Sequence, residues 1–157
     1  MTESVSLDRI DRAILHHLQL DAAQTHQELA ERVNLSTNAC WRRVRRLEDA
    51  GFIDARVALL NRQALGVPVT VFVALRTTEH NESWLRQFAA GVATVPEVME
   101  FYRMSGDTDY LLKVVVRDIA DYDRVYKRLI SIAPLSDVSS SFAMECLKST
   151  TALPLPD

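Results

Sequence analysis

The chain has 157 residues, enough for one ordinary domain or two small ones and too few for a large multidomain enzyme. Hydrophobic residues make up 48% and charged residues 25%, with little Gly or Pro, which is the composition of a folded chain with a packed core. A net charge of -3 argues against holding nucleic acid by bulk charge and leaves local clustering as the only electrostatic route to it. No apolar run approaches the roughly 20 residues that span a bilayer. Met1 to Asp8 lacks the basic and apolar parts of a signal peptide, so the expected location is cytoplasmic, with no membrane partner. Cys40 and Cys146 have no Cys or His near them at metal-ligand spacing, and His16, His17, His26 and His80 form no spaced set. No metal site and no disulfide scaffold is expected, and both cysteines read as buried apolar residues.

The apolar spacing is helical before Gly66 and alternating or continuous after it, which divides the chain into residues 1–60, a linker at 61–66 and residues 67–157. Asp8 is placed to cap a helix carrying Ile10, Ile14, Leu15 and Leu18. Thr25 and Glu28 fit a capping box opening a second helix, which Asn34 breaks. Ser36 caps a third, running through Cys40, Val44 and Leu47 to Gly51, a residue suited to the left-handed conformation at a helix end. Phe52 to Leu60 reads as a strand or hairpin arm. Beyond the linker the pattern predicts strands over Val67–Arg76, Val98–Ser105, Tyr110–Arg117 and Val138–Leu147, and helices over Ser83–Val95 and Ala120–Ile132. Two β-α-β units in tandem predict a ferredoxin-like βαββαβ sheet with both helices on one face, and hence an α+β fold overall. In the first of these strands both alternating sets are apolar, Val69, Val71, Val73 and Leu75 against Phe72 and Ala74. The helices cover one face. Either a second copy packs its sheet on the other, making a homodimer, or the N-terminal module covers it.

The third helix is the most informative stretch. At about 100° per residue, Cys40, Val44 and Leu47 fall on one side, with Asn38, Ala39, Arg42, Arg45 and Arg46 on the other, a face with no acidic residue. Two helices joined by a tight turn at Asn34 and Leu35 have the layout of a helix-turn-helix, whose second helix enters the major groove. From its start at Ser36, base readout falls to Thr37, Asn38 and Arg42, since Asn pairs with adenine and Arg with guanine, while Arg43, Arg45 and Arg46 are placed for phosphates. The plain alternative is a solvated charged face.

Leu7-Asp8-Arg9-Ile10-Asp11-Arg12-Ala13-Ile14-Leu15, Glu28-Leu29-Ala30, Val33-Asn34-Leu35-Ser36, Arg43-Val44-Arg45-Arg46-Leu47-Glu48 with Gly51-Phe52-Ile53, and Ser105-Gly106-Asp107-Thr108-Asp109-Tyr110-Leu111-Leu112 resemble the Lrp/AsnC family of transcription regulators. The resemblance covers nearly the whole chain. It implies an N-terminal winged helix-turn-helix, a ferredoxin-like ligand-binding and oligomerising domain, dimers through the sheets that assemble to tetramers or octamers, and a free amino acid bound between dimers. By position it places Gly106, Asp107, Asp109 and Tyr110 at the border of that effector pocket, Asp118 and Ile119 on the facing loop, and Ser139, Ser140 and Ser141 as hydroxyl contacts. A zwitterion needs an acceptor for its ammonium, which Asp107 or Asp109 offers, and donors for its carboxylate. Gly106 and Asp107 equally suit a plain hairpin turn. Two departures are visible: Gln24 stands where the family often has Arg, and Pro134-Leu135-Ser136-Asp137 lacks the glycine of a Pro-Gly turn. Trp41-Arg42-Arg43 and Ser140-Ser141-Phe142-Ala143-Met144-Glu145 resemble a subgroup linked to cysteine or other sulphur amino acids, so cysteine, methionine and leucine are the effector candidates.

The expectation is a non-enzymatic, nucleoid-associated regulator of double-stranded DNA that responds to a free amino acid, with no cofactor. An architectural DNA binder that ignores small molecules is the alternative. An enzyme is disfavoured because no nucleophile with a neighbouring base and no phosphate-binding glycine loop is visible, and an RNA-binding sheet because the base-stacking aromatics are missing.

Overall fold

The computed structural model describes residues 6–156; residues 1–5, most of the stretch read above for a leader, and Asp157 lie outside the described residues. The chain forms two compact units, one from the described parts of Met1–Leu59 and Lys148–Asp157, the other from Leu60–Leu147.

The first unit holds α1 (Arg9–Leu20), α2 (His26–Arg32) and α3 (Thr37–Asp49). All three begin at the caps read from sequence. Asp8 accepts from the Asp11 amide while the Asp11 carboxylate accepts from the Asp8 amide, Thr25 and Glu28 form the second such box, and Ser36 accepts from the Ala39 amide. Asn34 takes a left-handed φ of 54°, and the amides of Asn34 and Leu35 donate back to the carbonyls of Glu31 and Ala30. That pair of bonds closes α2 and starts the turn to α3. Gly51, at φ 76°, closes α3 in the same way. Ile14, Leu18, Leu29, Cys40, Val44 and Leu47 form the buried centre between the helices.

Two expectations for this unit are corrected. The strand over Phe52–Leu60 does not form: residues 53–60 carry no helix or strand, and among the described residues none of their amides joins a backbone bond. Their β-branched content supplies propensity, but a strand exists only against a partner, and no described segment pairs with them. The C-terminal residues, expected with the second domain, group with the first: Leu155 packs on its core, Arg12 Nε donates to the Pro156 carbonyl at 2.6 Å, and the Leu153 amide donates to Gln19 Oε1 at 2.9 Å.

The second unit contains β1 (Val69–Arg76), α4 (Glu82–Val92), β2 (Val98–Arg103), β3 (Tyr110–Val116), α5 (Ile119–Ile132) and β4 (Asp137–Phe142). The strands form one antiparallel sheet in the order β2-β3-β1-β4, the ferredoxin-like arrangement. Val71, Val73, Leu75, Leu112, Val114 and Val116 pack on Phe88, Val92, Val125 and Leu129 of the two helices. The opposite face carries Phe72 of β1, 39% exposed, and Tyr102 of β2, 49% exposed. Glu100 and Lys113 pair across this face at 2.8 Å.

β4 ends at Phe142, short of the expected Leu147: the Ala143 amide still donates to the Thr70 carbonyl, but Met144 is 96% and Leu147 87% exposed. Cys146 lies there and is exposed, against expectation, while Cys40 is buried as expected. The turn before β4 manages without glycine. No residue there has a positive φ, the Ser136 amide donates to the Arg76 carbonyl, and the Trp84 indole donates to the Pro134 carbonyl.

Helices α4 and α5 meet at Gly91, where an added Cβ would overlap Ile132 Cγ2. Gly91→Ala is expected to destabilise the chain by about 1–3 kcal/mol through overpacking, although Ala is the better helix former. A lower urea midpoint at unchanged slope is the expected observation, and an unchanged or raised midpoint would refute the close approach.

Candidate functional site

Helix α3 meets the rest of its unit through Cys40, Val44 and Leu47 and turns Ser36, Thr37, Asn38, Arg42 and Arg45 to solvent. The four arginines differ in their surroundings. Arg42 is exposed and, among the described residues, its side chain makes no ion pair or hydrogen bond. Arg45, its side chain 63% exposed, lies 3.7 Å from Glu48 and 3.8 Å from Asp49. Arg43 and Arg46 instead turn towards α1, where Arg43 Nη1 reaches Asp8 at 2.6 Å and Asp11 at 2.8 Å, and Arg46 meets the other oxygen of Asp11. The face expected to be acid-free therefore has acids beside it, Glu48 and Asp49 from the end of α3 itself and Asp8 and Asp11 from the start of α1. The hydrogen bond donated by the Asp11 amide and the Arg43 guanidinium hold the Asp8 carboxyl at about 2, below its ordinary 3.8, and Asp8 and Asp11 in turn push the Arg43 pKa up. Trp41 is 52% exposed beside the reading positions. Gln24 donates to the carbonyls of His17 and Asp21 and closes the end of α1, a structural use for the position where the family often has Arg.

In the second unit a cavity of about 330 Å³ lies between the start of α4 and the β2–β3 turn, lined by His80, Asn81, Arg103, Met104, Asp109 and Tyr110 among others. Of the expected effector residues only Asp109 and Tyr110 line it. Asp109 is fixed: its Oδ2 accepts from the buried Thr77 amide at 2.9 Å, and its own amide donates to the Leu75 carbonyl. Tyr110 is buried, its ring 5.5 Å from Trp84 and 5.6 Å from Phe101. Gly106, at φ 111°, and Asp107 form the exposed turn. Asp118 caps α5 through the Asp121 amide at 2.8 Å, and Ile119 is 73% exposed. The serines do not act as one group. Ser140 pairs with Val73 on the helix-covered face and shares a hydrogen bond with the Tyr122 hydroxyl, whereas Ser139 and Ser141 pair with Ala74 and Phe72 on the open face. The alternation of side chains along a strand already carried that signal. His80, Arg103 and Met104 come from segments apart in sequence, and no local pattern marks them. Among the described residues no group of His, Cys, Asp and Glu is arranged to hold a metal, and no helix is long and apolar enough to cross a membrane.

Comparison with known proteins places these two units. A family profile described as winged helix-turn-helix DNA-binding matches residues 7–54, and one described as Lrp/AsnC ligand binding domain matches residues 70–153. The chain is 53% identical to the glutamate uptake regulatory protein of Zymomonas mobilis over 96% of its own length and 92% of the relative's. It superposes at a TM-score of 0.92 and 53% identity on an AsnC family transcriptional regulator from Agrobacterium tumefaciens, covering 94% of this chain and 97% of that one. A transcriptional regulator from Neisseria meningitidis, solved as its complex with L-Met, matches at a TM-score of 0.90 and 35% identity, over 95% and 97% of the two chains.

Two measurements test the local assignments. Asp109→Ala leaves the buried Thr77 amide unpaired and is expected to cost about 1–3 kcal/mol, whereas Asp107→Ala, on an exposed turn, is expected within about 0.5 kcal/mol of the parent. Equal losses in chemical denaturation would contradict the geometry. Since the folded-state pKa of Asp8 is depressed, its contribution is present above about pH 4 and lost as pH falls towards 2. Asp8→Asn should therefore be less stable than the parent at neutral pH, and the gap should close on acidification. A gap independent of pH would argue against the ion pair.

Proposed function

The chain belongs to the Lrp/AsnC family of transcription regulators, and from that premise we propose that it is a nucleoid-bound, cytoplasmic regulator that reads double-stranded DNA with α3 and responds to a free amino acid. The observation that carries the DNA reading is the outward group on α3: Asn38 and Arg42, exposed and flanked by Ser36 and Thr37 at the helix start. Asn and Arg make the bidentate contacts that separate adenine and guanine from other bases in the major groove. Arg45 is exposed and weakly held, so it is free to turn to a phosphate.

The open sheet face supports a homodimer. Phe72, Leu111 and Tyr102 lie on it around the Glu100–Lys113 pair, an apolar patch with a polar centre suited to a second copy of the same face. Dimers would present two α3 helices to half-sites about one helical turn apart, and tetramers or octamers of such dimers would bend DNA around themselves. The effector site is assembled between chains. The 106–110 turn with Asp107 and Asp109 would take the ammonium group. Asp118 and Ile119, with Ser139 and Ser141 on the open face, come from a neighbouring copy, and Ser140 holds the strand in place through Tyr122. A sulphur-containing amino acid of the methionine type is the favoured effector, since a related regulator is complexed with L-Met.

Arg42→Ala is expected to weaken binding to a selected duplex by about 5- to 150-fold, the value of one bidentate contact, and binding to random duplex far less. Equal loss on both would make Arg42 a phosphate contact. In a thermal-melt panel of free amino acids at millimolar concentration, a selective rise with methionine or cysteine is expected by mass action. A flat panel, with and without DNA, would favour an architectural binder that ignores small molecules.

A further inference from the structure

We propose that Asp11 is a positioning residue for sequence reading: together with Asp8 it neutralises Arg43 and Arg46, and it fixes the rotation of α3, so that these two arginines carry structure and the DNA charge contacts fall to Arg42 and Arg45. The inference rests on the DNA-binding reading of α3 and deepens it.

The Asp11 side chain is 1% exposed, and both of its oxygens are occupied. Oδ1 takes Arg43 Nη1 at 2.8 Å, while Oδ2 takes Arg46 and the Asp8 amide, the latter at 3.1 Å. Asp8 adds a second carboxylate on Arg43 at 2.6 Å. Two carboxylates thus meet two guanidiniums, and the cluster has no net charge to offer a phosphate.

Asp11 is buried while Arg43 and Arg46 remain partly exposed, and burying a carboxylate is a poor way to gain stability, because its desolvation offsets the attraction and a well-packed apolar group often serves as well. What such a pair supplies is a single allowed arrangement. Arg43 and Arg46 are three residues apart on one flank of α3, so one carboxylate grips the helix at two points of that flank. Rotation of α3 by one residue, about 100°, would carry Asn38 and Arg42 off the outward direction and break both contacts. Neutralisation acts in the same direction. Four free arginines on one short helix would attract any duplex, and sequence-independent attraction lowers the ratio of specific to random binding.

The experiment is the salt dependence of duplex binding, followed by fluorescence anisotropy. The probes are a duplex enriched by in vitro selection with the parent protein and a mixed-sequence duplex of equal length. The full-length variants are Asp11→Asn and the triple D11N/R43Q/R46Q, which leaves none of these three groups charged. Asp11→Asn frees the Arg46 guanidinium and leaves Arg43 held by Asp8 alone, so the slope of log affinity against log salt on mixed duplex should steepen by about 0.9 as Arg46 reaches a phosphate. The ratio of selected to mixed affinity should fall tenfold or more. Loss of folding cannot steepen a slope, so this readout separates positioning from general destabilisation. The triple variant should keep the parent's slope while its ratio falls, and it decides the matter if Asp11→Asn does not fold. A triple variant whose slope flattens by about 0.9 per arginine, or an Asp11→Asn variant with the parent's slope and ratio, would overturn the assignment. A parent that binds neither duplex at low salt would instead overturn the DNA-binding reading on which the assignment rests.

Discussion

Helix α3 can present its polar side only because α2 stops within a single residue. A left-handed backbone costs most L-residues about 1–2 kcal/mol, and Asn is among the few whose short polar side chain makes it tolerable. At Asn34 that conformation lets two amides turn back onto the Glu31 and Ala30 carbonyls of α2, so the reversal is closed by backbone hydrogen bonds. The chain then leaves in the direction that allows Ser36 to cap α3 and Cys40, Val44 and Leu47 to face α1 and α2. Everything assigned to the outward side of α3 follows from that closure.

Local chemistry was legible in the sequence wherever the partner lay within a few residues. The caps at Asp8, Thr25 and Ser36, the glycine closure at Gly51 and the two βαβ units all stand where periodicity and turn residues put them, with ends displaced by a few residues. Reading failed where a residue's fate depends on a distant partner. Phe52–Leu60 has the composition of a strand but no neighbour to pair with. Cys146 is apolar enough for a core, yet β4 ends before reaching it. Arg43 and Arg46 read as free cations until α1 brings Asp11 against them, 32 and 35 residues away in sequence.

The expected effector residues show the same division. Asp109 and Tyr110 are tied into the sheet and the aromatic cluster, so their positions are set before any ligand arrives. Asp107, Ile119, Ser139 and Ser141 are exposed, and three of them lie away from the cavity beside Asp109 in sequence as well as by strand face.

The return of the described residues from Lys148 to Pro156 to the first unit changes the order of events during synthesis. The whole of the second unit is made between the two parts of the first. Helices α1 to α3 therefore emerge from the ribosome well before Leu155 is available to cover their core or Pro156 to accept from Arg12. The core beneath α3 therefore lacks its Leu155 cover until the sheet has been translated.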